Sequence, residues 1–81
     1  MDNLSEDTMR RGLEFSWLRP IYEALLLGPL TATEIRSKTR IKPSECSKNL
    51  DSLASKGLII FENGKWRVTE KSKEVYKKYF E

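Results

Sequence analysis

The sequence predicts an α+β fold in which a helix–turn–helix is followed by a β-hairpin and one more helix. Thr31 precedes a glutamate by three residues, which is the capping-box pattern that opens a helix. Pro43 suits the first position of the next helix, because its missing N–H is not needed there. Gly57 suits the left-handed conformation that commonly ends a helix. The Asn-Gly pair at residues 63–64 favours a type I′ turn between two strands.

The first helix of the predicted three-helix core begins near residues 18–20 and runs to Leu27, where Gly28-Pro29 stops it. Its apolar side chains recur at helical spacing, so they are expected to face the core. They are Leu18, Ile21, Tyr22 and Leu25.

The second helix covers about residues 32–39 and is expected to direct Ile35 inward. The turn that follows is expected to bury Ile41 between two outward cations, Arg40 and Lys42.

The third helix, about residues 43–56, has one apolar face, formed by Cys46, Leu50, Leu53 and Ala54. Its opposite face is polar and consists of Ser44, Glu45, Ser47, Lys48, Asp51 and Ser55. Strands are predicted at 58–61 and 65–68, and a last helix at roughly 70–80.

The amino-terminal segment, residues 1–16, is interpreted as an extension of a domain that covers residues 17–81. It has no clear periodicity, and Gly12 is expected to interrupt any helix there. Leu13, Phe15 and Trp17 alternate with polar residues, which favours a short strand.

Composition excludes several classes of protein. A single cysteine cannot form an internal disulfide, and the absence of histidine removes the usual zinc ligand sets. Cys46 is therefore interpreted as a small buried core residue, with a redox or metal site as the alternative. No apolar run approaches the roughly 20 residues of a membrane helix, and the charged start is not a signal peptide. We expect a soluble cytoplasmic protein without a membrane segment or cofactor.

Basic residues are concentrated at two places. Between residues 36 and 48 they are Arg36, Lys38, Arg40, Lys42 and Lys48, opposed only by Glu45. A second pair, Lys65 and Arg67, lies on the predicted hairpin. Two cationic clusters in this architecture favour a nucleic-acid-binding surface, and the alternative is an ordinary solvated face.

The order of these segments resembles the winged helix-turn-helix domains of small prokaryotic regulators, most closely the archaeal ones. The resemblance covers about residues 20–79 and is carried by PSECSKNLDSLASKGLI, two strands and TEKSKEVYKKY, although Ser72 stands where many relatives have glycine. It implies a transcriptional regulator that binds double-stranded DNA. The helix at about 43–56 would enter the major groove, and the hairpin at 58–68 would be the wing.

A helix in the major groove reads base edges with side chains near its amino terminus. Ser47 and Lys48 are the predicted readers. Ser44 and Glu45 are candidates as well, although hydroxyls and carboxylates also favour a helix start for structural reasons.

The remaining cations are expected to bind phosphate without reading sequence: Arg36, Lys38, Arg40, Lys42, Lys65 and Arg67. Trp66 alternates with Lys65 and Arg67, so it is interpreted as a core residue and not as a base-stacking platform.

Two other functions stay open at this stage. Some archaeal relatives are nonspecific chromosomal proteins, but those have a long carboxy-terminal coiled-coil helix, for which this sequence leaves no room. Winged helices also serve as protein-interaction modules, a role that an acidic third helix would have favoured. No nucleophile–base pair or phosphate-binding glycine loop suggests an enzyme. An effector pocket is not expected inside so small a core.

A homodimer is also predicted, held by the amino-terminal segment and the last helix. These segments contribute more apolar side chains than one small core should need, and an exposed apolar patch usually marks an interface. The residues concerned are Leu13, Phe15, Trp17, Val75, Tyr76, Tyr79 and Phe80.

Overall fold

The computed structural model describes residues 6–81 as five helices and one antiparallel hairpin. In chain order the elements are α1 (Glu6–Glu14), α2 (Arg19–Leu26), α3 (Ala32–Thr39), α4 (Pro43–Ser55), β1 (Ile59–Glu62), β2 (Lys65–Val68) and α5 (Glu70–Phe80). The predicted α+β architecture of a winged helix-turn-helix is confirmed, with α2, α3 and α4 as the three-helix core and the hairpin as the wing. None of the described helices is long and apolar enough to span a membrane.

The expectation of a strand near residues 13–17 was wrong, because α1 is a helix that passes through Gly12. Met9 and Leu13 are four residues apart and both are buried, which is helical spacing. A Cβ atom at Gly12 would lie 2.6 Å from Lys56 Cδ and 3.0 Å from Leu58 Cδ1. Gly12 therefore does not break the helix, and it allows α1 to approach the end of α4 closely.

The predicted boundaries of α3 are confirmed by its hydrogen bonds. The Glu34 backbone N–H donates to Thr31 Oγ1 (3.1 Å), and the Thr31 N–H donates to Glu34 Oε1 (2.8 Å). Together they satisfy two backbone donors that a helix start would leave unpaired. At the other end Arg40 takes a left-handed conformation with φ of 59°, and its N–H donates to the Arg36 carbonyl.

One apolar core unites all five helices and the base of the hairpin. It contains the predicted residues of α2, Ile35 of α3, and Cys46, Leu50 and Leu53 of α4. Ala54, the fourth residue of the predicted apolar face of α4, is half-buried against this core. Within residues 6–81 its buried members are Met9, Leu13, Leu18, Ile21, Tyr22, Leu25, Ile35, Cys46, Leu50, Leu53, Leu58, Ile59, Val68 and Val75. Ile41 is half-buried against this core, as expected of the turn after α3.

The hairpin turns on Asn63 and Gly64, whose φ angles of 55° and 80° are both positive, as a type I′ turn requires. Residues opposite each other in an antiparallel pair share a face, so Phe61 and Trp66 lie on one face of the wing. Leu30 adds a bridge that the sequence did not reveal. Its N–H donates to the Trp66 carbonyl (3.0 Å) and its carbonyl accepts from the Trp66 N–H (2.8 Å).

A polar network lies inside this apolar core, at the start of α5. The Tyr22 hydroxyl and Ser72 Oγ are 2.7 Å apart, and Ser72 Oγ also lies 2.9 Å from the carbonyl oxygens of Leu58 and Thr69. Ser72 can therefore accept from Tyr22 while it donates to a backbone carbonyl. This one hydroxyl joins α2 and α5 to the residue that precedes β1.

Ser72→Ala is expected to lower the free energy of unfolding by about 1–3 kcal/mol, because it leaves the buried Tyr22 hydroxyl without a partner. The two carbonyl oxygens each keep a backbone donor, from Thr69 and Lys73 respectively, so they add little to the loss. Urea denaturation of the single and double variants measures the effect. The double variant Tyr22→Phe/Ser72→Ala should lose less stability than Ser72→Ala alone, and an equal or larger loss would contradict this account.

The α1 helix packs on α5, and this contact takes up part of the apolar surface that the sequence assigned to a dimer. Leu13 and Val75 are both buried within the chain. The Tyr79 hydroxyl donates to Glu6 Oε2 (2.6 Å), and Lys78 Nζ lies 3.0 Å from the same oxygen. The hydrogen bond from Tyr79 and then the Lys78 ammonium lower the pKa of the Glu6 carboxyl.

Glu6→Gln is expected to lower the melting temperature at pH 7, because it removes the charge that attracts Lys78. A carboxyl group with a lowered pKa in the folded state stabilises the fold above its ordinary pKa and ceases to do so as it is protonated. The difference between wild type and Glu6→Gln should therefore shrink below about pH 4. Glu74→Gln, an exposed change on α5, is the matched control. The interpretation fails if the two variants melt alike at pH 7.

Candidate nucleic-acid interface

The polar face of α4 that the sequence predicts to be exposed is exposed in the structure. All six polar residues assigned to it are exposed: Ser44, Glu45, Ser47, Lys48, Asp51 and Ser55. On the opposite face Cys46, Leu50 and Leu53 are buried against the other helices. The helix therefore presents a polar ridge over its whole length, and the core fixes its rotation.

The amino terminus of α4 has no side-chain cap. Its N-cap position is Lys42, whose side chain makes no capping hydrogen bond, and Pro43 follows at the helix start. Ser44 therefore does not act as the cap. Backbone N–H groups and the helix dipole at such a terminus attract anions, and exposed Ser44 and Glu45 lie beside them.

The basic residues of α3 and the following turn are largely exposed. Lys38, Arg40 and Lys42 are exposed, whereas Arg36 is half-buried and donates to Thr33 Oγ1 (3.3 Å). Among residues 6–81, no carboxylate forms an ion pair within 4.0 Å of any cation in the following set. The set is Arg36, Lys38, Arg40, Lys42, Lys48 and Lys65.

Arg67 differs from these cations, because it is already paired. Its Nε donates to Glu62 Oε1 (2.7 Å), which raises the pKa of the guanidinium, and Nη1 donates to the Val68 carbonyl (3.3 Å). Lys65 lies opposite Glu62 in the strand register, at the tip of the wing, and is exposed. Of the two predicted wing cations, Lys65 alone is unpaired in the part of the chain that the structure describes.

The fold brings the two basic clusters towards each other. The pKa of Glu34 is lowered first by the Thr31 backbone N–H, and the charges of Lys65 and Lys38 lower it further. A lysine of the wing and a lysine of α3 therefore both lie close enough to the Glu34 carboxylate to stabilise its charge. Arg36 and Ser47 also line a cleft of about 220 Å³ together with Trp66, so α3, α4 and the wing meet at one surface.

Comparison with known protein families then identifies the domain. Residues 20–80, from α2 to the end of α5, match the family described as sugar-specific transcriptional regulator TrmB. The chain belongs to the TrmB family. It is accordingly a DNA-binding domain of a transcriptional regulator, and the resemblance to prokaryotic winged-helix regulators is confirmed. A search of curated proteins gave no match.

Asn49 has a structural role in this TrmB-family domain. Its Nδ2 donates to the Trp17 carbonyl (3.3 Å), which ties the α1–α2 turn to the middle of α4. Phe15 and Trp17 in that turn stack with ring centroids 4.7 Å apart, and Trp17 is 58% exposed. Sequence reasoning gave no role to Asn49, because its partner is a backbone carbonyl 32 residues away.

The structure gives Cys46 a packing role within the same domain. The thiol is buried, and desolvation raises its pKa, so it is poorly suited to nucleophilic or redox chemistry. Residues 6–81 contain no group of three or more side chains that could hold a metal ion. Trp66 is half-buried and packs against the core, in agreement with its predicted role.

Proposed function

We propose that this domain regulates transcription by placing α4 in the major groove of double-stranded DNA, with the wing beside it. The observation that carries the proposal is the exposed polar ridge of α4, which has no side-chain cap at its start and shares the domain surface with unpaired cations of α3 and of the wing. An α-helix fits the major groove, and flanking cations suit the phosphates on either side. A prokaryotic regulator of this kind works in the cytoplasm, and we propose that location.

Ser47 and Lys48 are the proposed readers of base edges, because they follow the first turn of α4 and are exposed. Lys48 can donate to a guanine edge, and the Ser47 hydroxyl can donate or accept. Glu45 can accept from a cytosine amino group. The Ser44 hydroxyl does not cap the helix and can donate to a phosphate or a base.

The proposed phosphate contacts use the unpaired cations of the set defined above, namely Arg36, Lys38, Arg40, Lys42 and Lys65. Arg67 belongs to the same surface but must exchange Glu62 for a phosphate before it contributes. Arg67 therefore contributes less binding free energy than a cation that loses only its contacts with water.

Lys48→Ala is expected to weaken binding to a preferred site by about 1–3 kcal/mol and to relax the sequence preference. Stability should hardly change, because Lys48 is exposed and lies opposite the buried face of α4. Gel shifts on the gene's own upstream region and on random DNA, at several salt concentrations, measure both effects. Lys77→Ala removes an exposed lysine of α5 outside the proposed contacts, so it is the matched control. If the Lys48→Ala protein is folded and its DNA affinity is unchanged, Lys48 does not read base edges. If the wild type binds both DNAs with equal affinity, the domain is an architectural protein.

Arg40→Ala is expected to weaken binding to all sequences alike and to reduce the salt slope by about 0.9, the value for one lost phosphate contact. Arg67→Ala should reduce it less, because Glu62 neutralises this guanidinium in the free protein. Fluorescence anisotropy of labelled DNA from low to high salt gives the slopes. If Arg67→Ala has the larger effect, the wing reaches phosphate through Arg67 and the relative roles of the two arginines are reversed.

We also propose a homodimer, held by what remains of the predicted apolar surface. Leu13 and Val75 are buried within the chain, but Phe15, Trp17 and Tyr79 are exposed. Tyr76 and Phe80 are half-buried, and their rings stack with centroids 5.8 Å apart. A two-fold dimer would place two α4 helices about 34 Å apart and read an inverted repeat.

Sedimentation at micromolar concentration is expected to show a species of twice the 9.5 kDa chain mass. Trp17→Ser should shift it towards the monomer, because the exposed ring would lie in the interface. Leu27→Ser, at an apolar side chain that is 87% exposed and outside the proposed surface, should leave it unchanged. The dimer would be ruled out if the free protein sedimented as a 9.5 kDa species and the DNA complex also held no dimer.

A further inference from the structure

An open apolar groove of about 580 Å³ lies between the wing and the helices α1, α4 and α5. Its walls include Met9 of α1, Ala54 of α4, Ile60, Phe61 and Trp66 of the wing, and Lys71 of α5. No effector pocket was expected inside the core. This groove lies outside the core, where α1 and the hairpin meet, and the position of α1 was not predicted.

The polar groups of the groove are few. Thr69 Oγ1 donates to the Gly57 carbonyl (2.7 Å) and accepts from the Ser72 N–H (3.2 Å), so this hydroxyl is satisfied within the protein. Lys71 is exposed and, within residues 6–81, has no carboxylate at ion-pair distance. Glu6 interacts with it only at longer range and is held by Tyr79 and Lys78. The groove thus offers an apolar surface with one available positive charge.

We propose that this groove binds a small amphipathic anion, with an aromatic or branched aliphatic body and one carboxylate. The volume lies within the usual range for small-ligand sites, which combine an apolar lining with a few polar groups. The body would contact Phe61 and Trp66, and the carboxylate would pair with Lys71. A sugar does not suit this site, because its hydroxyl groups would find few partners there.

The exposure of apolar side chains on the wing supports a ligand in this groove. Phe61 is 56% exposed and Ile60 is 41% exposed, although both belong to the hairpin whose base is buried. The Phe61 and Trp66 rings are in contact, with centroids 5.1 Å apart, and form one wall of the groove. A ligand would cover apolar surface that otherwise faces water and would brace the wing against α1 and α4. The proposal does not depend on the DNA-binding mode, and its test requires no DNA.

The test is an NMR titration of the ¹⁵N-labelled chain with 4-phenylbutyrate, with its neutral analogue 4-phenylbutan-1-ol, and with maltose. We expect saturable shifts at Met9, Ala54, Gly57, Phe61 and the Trp66 indole, with a dissociation constant on the order of 0.1–1 mM for the carboxylate. The alcohol should bind about twofold to fivefold more weakly, as suits one exposed ion pair. Maltose should cause no saturable shift of these signals.

Two pairs of variants locate the contacts. Lys71→Met should remove the preference for the carboxylate, whereas Lys77→Met, at an exposed lysine of the same helix outside the groove, should retain it. Phe61→Ser should weaken binding about fivefold to tenfold, and Leu27→Ser should not.

Any of four results would overturn the proposal. They are no saturable shift up to about 10 mM, equal affinity for the acid and the alcohol, maltose binding at the same signals, and shifts of the groove signals with protein concentration alone. The last result would show that a second copy of the chain occupies the groove.

Discussion

Burial of Cys46, Leu50 and Leu53 fixes the rotation of α4 about its axis, and the exposed surface of the domain depends on that rotation. With these three side chains inside, Ser44, Ser47 and Lys48 can only lie outside. A rotation by one residue in either direction would expose Leu50 and bury a carboxylate, Glu45 or Asp51. Loss of hydrophobic burial and desolvation of the charge would both destabilise that arrangement. The polar chemistry that α4 presents on the surface therefore follows from the packing of the apolar stripe on its opposite face.

The wing depends on a different kind of constraint. Its strands are only four residues long, and an isolated hairpin is at best marginally stable. Three anchors compensate: the buried side chains of Ile59 and Val68, the backbone bridge from Leu30 to Trp66, and the Ser72 hydroxyl beneath Leu58. The first and the third hold the base of the hairpin, and the Leu30 bridge holds β2 closer to the tip, at Trp66. The outer half, with Phe61 exposed, stays next to the groove and carries Lys65 at its tip.

The α1 helix changes the interpretation of both ends of the chain. It lies outside the span that matches the TrmB family, yet Met9 and Leu13 belong to the common core. Gly12 allows the close approach of α1 to the Lys56 side chain at the end of α4. On the other side, Glu6 of α1 accepts a hydrogen bond from Tyr79 of α5. The surface left for a partner is accordingly smaller than the apolar composition of the two ends suggests, and a groove appears where α1 meets the wing.

Local signals in the sequence determined most of the fold. The Thr31–Glu34 capping box, Pro43, the Asn63-Gly64 turn and the apolar spacing of α2 and α4 each act over a few residues, so they can be recognised without a structure. The same holds for the outward polar face of α4, because helical periodicity assigns both faces at once. The order of the elements also assigned each basic residue to α3, to the turn after it, to α4 or to the wing.

Tertiary structure decided what depends on residues distant in the chain. From the sequence alone, Gly12 suggests the interruption of a helix. In the fold it lies inside α1 and permits a close contact with the Lys56 side chain at the end of α4. Arg67 carries the same charge as Lys65, yet the short distance to Glu62 makes it the less available cation. Leu13 and Val75 resembled interface residues until α1 and α5 buried them together. The sequence by itself determined the elements and the face that each presents, since those follow from local periodicity and capping, while pairing, burial and the groove arose only where distant segments met.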